Sequence, residues 1–235
     1  MIPKKIHYCW FGRKPKPKLA EKCINSWKKH CPDYEIVEWN EDNFDIDKHP
    51  YARYCLDNQK YAFLSDFARL IIISEEGGIY FDTDVEIVRN FDDLLNNEAF
   101  YGFETDEYVA TGLGFGAERN HVTVVEMLKE YDCTQKEDGT FELKSCPQLN
   151  TAALLGLGLQ LNGKEQVIAG AHIYPVDYFN PFEDATGILK ITNNTYSIHW
   201  YAKSWISKRK VLRSKLTRPL HRIFGTEFFR KRKNR

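Results

Sequence analysis

The sequence predicts an α/β protein with a mostly parallel, mixed sheet and helices on both of its faces. The main observation is that short apolar runs alternate with amphipathic helical patterns along residues 6–88, because strands that alternate with helices favour parallel pairing. Composition agrees: of 235 residues, 43% are hydrophobic and 28% are charged. These values are typical of a globular domain and argue against a disordered chain.

Five predicted elements fill residues 6–88. The predicted strands are residues 6–11, 34–39 and 79–81, and the predicted amphipathic helices are residues 18–30 and 59–76. Gly77 and Gly78 follow the second helix directly and are expected to end it. Residues 40–58 are polar, with possible helix caps near their start. Later strands are expected at residues 100–103, 173–175 and 197–200, and later helices at residues 121–131 and 151–161.

Charge divides the chain into two predicted parts, a domain of residues 1–206 and a basic tail of residues 207–235. The tail holds 12 of the 33 basic residues and one of the 33 acidic ones, so its net charge is +11 and that of residues 1–206 is −11. Apolar residues recur near helical spacing among the basic ones, and Pro219 is expected to kink or split this helix. The pattern is typical of a helix on an anionic membrane surface. A solvated basic end is the alternative.

Other bulk features narrow the class of protein. No apolar stretch reaches the roughly 18 residues of a membrane span, and the amino terminus lacks the apolar core of a secretory signal. We therefore expect a cytoplasmic protein, peripheral on the inner face of the cell membrane. The six cysteines lack CxxC spacing and are expected to be reduced, mostly buried thiols. Because residues 1–206 are acidic, no nucleic-acid partner is expected.

Asp82 and Asp84 directly follow a predicted buried strand. Side chains two residues apart in an extended chain point to the same side, and the carboxyl edge of an α/β sheet is where ligands bind. Two carboxylates there can share Mg²⁺ or Mn²⁺, which would bridge to phosphate oxygens. An acidic loop without a metal is the alternative.

Asp66 and Arg69 lie three residues apart on the predicted helix 59–76 and therefore share one of its faces. They either form an ion pair on the helix border or reach into one cleft with Asp82, which follows 13 residues after Arg69. Trp10 ends the first predicted strand. It is either a core side chain or an aromatic face that stacks against a nucleobase.

The segment from His199 to Trp205 is a further candidate. His199 lies in a predicted strand, and neutral imidazole is a good ligand for Mn²⁺, although a lone histidine is more often structural. Lys203, Ser204 and Trp205 offer a positive charge, a hydroxyl donor and an indole donor, which suit a diphosphate. The chain contains neither GxxxxGK[ST] nor GxGxxG after a strand, which argues against P-loop and dinucleotide-binding folds.

Several segments resemble glycosyltransferase family 32. Residues 2–12, IPKKIHYCWFG, resemble the opening of that family. Residues 61–69, YAFLSDFAR, followed by residues 77–84, GGIYFDTD, are similar to its sugar-binding region with the DxD motif. Residues 146–151 are similar to its "GPxxLT" motif, with Cys146 in place of the glycine, and residues 199–205 resemble its closing segment. The close match covers about residues 1–95.

The resemblance implies a GT-A fold, a divalent cation (Mn²⁺ or Mg²⁺), a nucleotide-sugar donor and retention of anomeric configuration. A UDP-hexose is favoured as the donor and GDP-mannose is possible. It implies transfer to a glycan or lipid-linked saccharide acceptor in surface polysaccharide synthesis. It also implies roles for the matching residues: Trp10 on the base, Asp66 and Arg69 on sugar hydroxyls, Asp82 on ribose, sugar and metal, Asp84 and His199 on the metal, and Ser204 and Trp205 on the diphosphate.

Two other functions stay open at this point. A transferase-like fold could hold a sugar or nucleotide without turnover, or a toxin-like transferase could modify a protein. The group that attacks the sugar is not identified by the sequence. Glu104 and Asp106 follow a strand-like segment and are candidates for contacts near the reacting sugar.

Overall fold

The computed structural model describes residues 1–203 and 208–225. The helices are α1 (Lys18–His30), α2 (Pro50–Asp57), α3 (Tyr61–Glu76), α4 (Val122–Asp132), α5 (Cys146–Gly156), α6 (Val176–Phe179) and α7 (Lys208–Phe224). The strands are β1 (Lys5–Cys9), β2 (Glu35–Trp39), β3 (Gly78–Tyr80), β4 (Val85–Ile87), β5 (Ala99–Thr105), β6 (Tyr108–Val109), β7 (Phe115–Ala117), β8 (Gln166–Ile168), β9 (Ala171–Tyr174), β10 (Phe182–Glu183), β11 (Ile188–Leu189) and β12 (Ser197–His199).

The central sheet has eight strands, in the order β2-β1-β3-β7-β5-β9-β8, with β6 paired to β5. β1 pairs in parallel with β2 and β3, and β5 pairs in parallel with β9. Because β7 is antiparallel to both β3 and β5, these two strands run in the same direction. The strands β1, β2, β3, β5 and β9 are therefore parallel to one another, whereas β6, β7 and β8 run in the opposite direction. The predicted α/β fold with a mixed sheet is confirmed. The antiparallel return of β7 between β3 and β5 is a feature that the alternation of elements does not predict.

Helices cover both faces of this sheet. Along β3 and the residue after it, side chains alternate between the faces: Tyr80 packs into one core, whereas Ile79 and Phe81 pack into the other. The first core is shared with α2, α3, α4 and α5, and the second with α1. β3 is therefore buried on both sides, and only its carboxyl end is available to a ligand.

Two glycines turn the chain from α3 into β3. Gly77 has a φ of +65° and Gly78 a φ of +108°, in the left-handed region that favours glycine. A Cβ atom on Gly78 would lie 3.0 Å from Nε2 of His7 on β1, so the chain passes too close to β1 for a larger residue. The predicted end of the helix is confirmed at this point.

One helix was not predicted from the sequence, and another begins earlier than predicted. α2 forms inside the polar stretch 40–58, where its buried face is too short to show a helical period. α5 begins at Cys146 rather than at residue 151, with a capping box formed by Ser145 and Gln148, because this start depends on the cap and not on an apolar pattern.

The helix predicted in the tail is α7, and it continues through Pro219, so the expected split does not occur. Proline removes the partner of the Lys215 carbonyl group. Both residues are exposed, so water can bind that carbonyl group. No helix in the described part of the chain is both long and apolar enough to span a bilayer.

The cysteines agree with the expectation of reduced thiols. All six are free, and five of them are buried, whereas Cys133 is exposed.

Candidate active site

The two carboxylates of the DxD sequence lie on a tight turn at the carboxyl end of β3. The turn joins β3 to β4, and the N–H of Val85 closes it with a hydrogen bond of 3.0 Å to the carbonyl oxygen of Asp82. Asp82 and Asp84 converge through this turn, and not through the extended backbone that the sequence suggested. The turn lies at the sheet edge where α/β folds bind ligands.

His199 reaches this turn through a second pair of strands. β12 pairs with β4 in antiparallel register, which sets His199 opposite Val85. Nε2 of His199 lies 3.3 Å from Oδ1 of Asp84. Just beyond β12, the N–H of Ala202 donates a hydrogen bond of 2.6 Å to Oδ2 of Asp84. The β4–β12 pair is therefore what brings His199 to the DxD turn.

Asp82, Asp84 and His199 form a cluster of potential metal ligands. Their ligating atoms all lie within 4.8 Å of one another, and the side chains are 28%, 14% and 13% exposed. Nδ1 of His199 is buried and has no hydrogen-bond partner among the described residues. Two carboxylates and an imidazole that a ligand can reach are a donor set that fits Mn²⁺ or Mg²⁺.

Arg69 lies behind the carboxylates and binds two of them. Its Nη2 lies 2.7 Å from Oδ1 of Asp66 and donates a hydrogen bond of 2.8 Å to Oδ1 of Asp82. The structure thus contains both arrangements left open by the sequence, an ion pair within α3 and a bridge from α3 to the DxD turn. The arginine side chain itself is only 2% exposed, so the surface that a ligand can reach belongs to the carboxylates.

Two buried side chains contact the other side of the guanidinium, and a third holds them in place, a role that the sequence did not predict. Nη1 of Arg69 lies 3.3 Å from Oγ1 of Thr111 and 3.5 Å from Sγ of Cys146. Oδ1 of Asn150 accepts hydrogen bonds from the N–H and the hydroxyl of Thr111, at 3.2 and 3.0 Å, and from the thiol of Cys146, at 2.9 Å. We call Thr111, Cys146 and Asn150 the Arg69 brace. The sequence signals for Cys146 and Asn150 were the resemblance of residues 146–151 to the "GPxxLT" motif and their spacing by four residues, which puts them on one helix face.

Two more contacts pack closely around Asp82. The hydroxyl of Tyr80 donates a hydrogen bond of 3.1 Å to its Oδ1, and the guanidinium of Arg69 lies 4.9 Å from the centroid of the Tyr80 ring. A Cβ atom on Gly112 would lie 2.6 Å from Oδ2 of Asp82. Glycine is therefore required at residue 112 for the carboxylate to keep its position.

Burial and the neighbouring charges act against each other, so the pKa values of the four titratable side chains shift in different directions. Burial raises the pKa of Asp66 to about 6 in spite of Arg69, and it also raises the pKa of Asp82. Burial acts on Asp84 in the same sense, but the interaction with His199 outweighs it, and the pKa of Asp84 lies below its usual value. For His199, burial lowers the pKa, but the carboxylates around it, Asp84 above all, raise it above its usual value. Three carboxylates against Arg69 and His199 leave an excess of negative charge that attracts a cation.

Trp10 lies at the same edge of the sheet. β1 pairs with β3 in parallel register, so Trp10, directly after β1, leaves the sheet at the same edge as the DxD turn that follows β3. The Trp10 side chain is half-buried, and Nζ of Lys16 lies 5.8 Å from the ring centroid. Trp10 therefore packs against the protein and keeps part of its surface open near the site.

The remaining candidates divide into three groups. Lys203 forms an ion pair with Asp184, and Ser204 and Trp205 lie outside the described residues. Glu104 accepts a hydrogen bond of 3.2 Å from the hydroxyl of Tyr201, whose ring packs against that of His199, and burial raises the pKa of Glu104. Asp106 is exposed in the turn between β5 and β6. Glu104 lies within β5 and not after it as the sequence suggested, and of these two carboxylates only Glu104 lies against the cluster.

The described fold is the GT-A fold of glycosyltransferases. Residues 17–101, which include the DxD turn, match the family described as "Glycosyltransferase sugar-binding region containing DXD motif". The match covers about a third of the chain, and it agrees with the sugar-binding region that the sequence resemblance indicated.

Individual proteins show the same relationship. The chain is 28% identical over 166 residues to the lactosylceramide 4-alpha-galactosyltransferase of Mus musculus, covering 65% of this chain and 45% of that protein. It is 29% identical over 121 residues to the subversion of eukaryotic traffic protein A of Legionella pneumophila, covering 40% and 19%. The chain thus spans less than half the length of these curated relatives. The solved structure of the PaToxG glycosyltransferase shares the fold, with a TM-score of 0.53, 19% identity and coverage of 66% of this chain and 69% of that chain.

Proposed function

We propose that this protein is a retaining, metal-dependent glycosyltransferase that moves a hexose from a nucleoside-diphosphate sugar to a glycan or lipid-linked saccharide. A UDP-hexose is the favoured donor, and GDP-mannose is the second choice. The observation that carries the proposal is the cluster of Asp82, Asp84 and His199, with ligating atoms within 4.8 Å of one another at the carboxyl edge of the sheet. The family implies a nucleotide-sugar donor and a divalent cation, and the donor set of this cluster suits the cation.

Asp84 and His199 would hold the cation, with Asp82 beside them. When bound, a divalent cation neutralises the charge that develops on the diphosphate as the bond to the sugar breaks. The lowered pKa of Asp84 keeps this carboxylate ionised at neutral pH and therefore able to ligate.

The donor sugar would contact the carboxylates in front of Arg69. Asp66 and Asp82 would accept hydrogen bonds from hydroxyls of the sugar and the ribose, because their oxygens are partly open while Arg69 fixes their orientation. Trp10 would stack on the base. Lys203, together with Ser204 and Trp205, would bind the diphosphate.

A glycolipid or lipid-linked acceptor is supported by the name of the murine relative, which describes an enzyme that adds an α-galactosyl group to lactosylceramide. We extend this to surface polysaccharide synthesis in the cytoplasm, at the inner face of the cell membrane. A second candidate is a transferase that modifies a protein. The match to the Legionella protein, which is named for subversion of eukaryotic traffic, supports that candidate.

The proposal is tested by incubating the protein with a panel of UDP- and GDP-hexoses and Mn²⁺, and following the release of nucleoside diphosphate. We expect slow hydrolysis of one UDP-hexose, stopped by EDTA and restored by excess Mn²⁺. Full activity in EDTA would contradict metal dependence, and binding of a nucleotide sugar without any release would indicate a module without turnover.

The acceptor and the stereochemistry are tested with the donor found in that panel. Radiolabelled sugar is offered to lipid-linked saccharides and, separately, to a protein mixture, and the anomeric proton of the product is examined by NMR. Labelling of lipid-linked material with the configuration of the donor is expected. Labelling of proteins alone would favour the second candidate, and an inverted product would contradict retention.

A further inference from the structure

α7 contacts the rest of the protein through a polar face. Arg218 donates two hydrogen bonds of 3.1 Å to Asp184, from Nε to the carbonyl oxygen and from Nη2 to Oδ1. Nε of Arg222 donates a hydrogen bond of 2.7 Å to the carbonyl oxygen of Thr186. The guanidinium of Arg218 also lies 5.4 Å from the ring centroid of Phe182. Cationic side chains thus attach the helix to the hairpin of β10 and β11.

The opposite side of α7 carries its leucines. Leu212, Leu216 and Ile223 are 60%, 70% and 72% exposed, and they fall within roughly 40° of one another around the helix axis. Leu220, at 42%, borders them. The half-buried residues on the other side are Val211, Ser214, Thr217, Arg218 and His221. We call Leu212, Leu216, Leu220 and Ile223 the apolar ridge.

The apolar ridge faces away from the protein, whereas the apolar side of a surface helix normally faces the core. Such a helix buries its apolar stripe against the core and turns its charged face to water. α7 binds the protein body with arginines and points its apolar ridge away from it. The ridge therefore cannot be explained by packing within the described chain.

Basic residues border the apolar ridge on both sides. Arg213 lies on one side of it, and Lys215 lies on the other. A partner that fits must offer an apolar interior next to negative charges on both flanks of the helix. A bilayer that contains anionic lipids has this arrangement, with phosphates above the acyl chains.

We propose that α7 is a docking surface for an anionic lipid bilayer, with the apolar ridge inserted at the headgroup level and the bordering Arg and Lys side chains bound to lipid phosphates. The proposal deepens the membrane location suggested above, and it is independent of whether the protein transfers sugar. α7 is tied to the metal cluster, because Asp184 binds both Arg218 and Lys203, and Lys203 directly follows Ala202, which binds Asp84. Binding of α7 would therefore hold this end of the site close to the bilayer.

The test is co-sedimentation of the full chain with phosphatidylcholine vesicles that contain phosphatidylglycerol, and with vesicles of phosphatidylcholine alone. The ridge variant combines Leu212→Ser, Leu216→Ser and Ile223→Ser, all at exposed positions where the fold should tolerate them. The matched control combines Val167→Ser and Ile191→Ser, which are 58% and 56% exposed but lie outside α7. Circular dichroism and the release of nucleoside diphosphate from the donor are measured on each protein.

The wild-type chain and the control are expected to bind the anionic vesicles at low salt and to dissociate at high salt. The ridge variant should bind about tenfold more weakly or worse, because its apolar contribution is lost, while its circular dichroism is unchanged.

Equal binding of the ridge variant and the wild type would overturn the proposal, since residues 226–235 or other charges would then suffice. So would equal binding to neutral vesicles. Concentration-dependent dimerisation that the ridge variant abolishes, without vesicle binding, would assign the ridge to a second copy of the chain instead. Unchanged donor hydrolysis keeps this result separate from the proposed activity.

Discussion

Nη2 of Arg69 and Oδ1 of Asp82 are joined by a hydrogen bond of 2.8 Å, but only the aspartate is open to a ligand, with 28% of its side chain exposed against 2% for the arginine. Arg69 is therefore a counter-ion that fixes the orientation of Asp82 and Asp66 from behind. The negative charge lies at the opening and the positive charge lies inside. A cation that enters meets the carboxylates first.

The position of Arg69 predicts that its charge and its shape have separable effects. Arg69→Ala should lower the free energy of unfolding by about 3–5 kcal/mol, because Asp66 and Asp82 would stay buried without a counter-ion. Arg69→Lys should retain more stability but lose most of the donor hydrolysis, since an ammonium group cannot bind both carboxylates and the brace in fixed directions. Thermal melts and donor hydrolysis measure the two effects. Arg119→Lys, at an exposed arginine, is the control, and full activity of Arg69→Lys would contradict this role.

The Arg69 brace predicts a positioning role for Asn150. Asn150→Ala would leave the N–H and the hydroxyl of Thr111 without their acceptor, which should cost about 1–3 kcal/mol of stability. Because Asn150 touches Arg69 only through Thr111 and Cys146, we expect kcat for donor hydrolysis to fall while the affinity for Mn²⁺ changes little. Asn162→Ala, at an exposed site, serves as the control. A variant that is less stable but retains the wild-type kcat when folded would reduce Asn150 to a purely structural residue.

The sequence predicted those parts of the site that lie on short stretches of chain. The period of α3, the glycines after it and the spacing of Asp82 and Asp84 are local patterns, and they placed these residues correctly at the sheet edge. The Arg69 brace could not be predicted in this way, because Thr111 and Cys146 meet Arg69 only after β7 and α5 have packed. The convergence of the two aspartates also has a local cause that periodicity does not reveal, namely the turn closed by Val85.

The surroundings of buried His7 predict that the protein loses stability at acidic pH. This effect does not involve the candidate active site. Its Nδ1 accepts a hydrogen bond of 3.1 Å from the indole N–H of Trp39, and its Nε2 lies 3.0 Å from the carbonyl oxygen of Gly77. These partners fit the neutral ring protonated at Nε2, and burial lowers the pKa of His7 to about 4. A proton on Nδ1 would face another donor.

Between about pH 4 and 6.5, His7 is therefore protonated in the unfolded chain but neutral in the folded chain. Because the unfolded state binds more protons, the free energy of unfolding falls as the pH falls. The contribution of His7 should be a loss of about 2 kcal/mol between pH 7 and pH 5. Urea unfolding of the wild type and of His7→Gln at both pH values measures it, because glutamine can keep one acceptor and one donor. If the two proteins lose the same stability on acidification, His7 is not the group responsible.

The partly open ring of Trp10 is expected to contribute to nucleotide binding and not to turnover. If its open surface stacks on the base, Trp10→Ala should weaken the binding of the nucleoside diphosphate by about 1–3 kcal/mol, and Trp10→Phe should recover part of the loss. Isothermal titration calorimetry with Mn²⁺ present measures both variants. Unchanged affinity in Trp10→Ala would assign the ring to packing alone.

The most direct test of the central claim is the binding of Mn²⁺ by the wild type and by Asp84→Asn, followed by electron paramagnetic resonance together with donor hydrolysis. Asparagine keeps the size of the side chain but removes the charge that faces His199, and Asp93→Asn, at an exposed carboxylate, is the control. We expect Asp84→Asn to stay folded and to lose donor hydrolysis. Its affinity for Mn²⁺ should fall by about a hundredfold or more, because the loss of a direct ligand should exceed the roughly 10- to 100-fold loss typical of residues that only hold a ligand in place. Wild-type Mn²⁺ affinity and wild-type turnover in Asp84→Asn would contradict a metal-dependent transferase built on Asp82, Asp84 and His199.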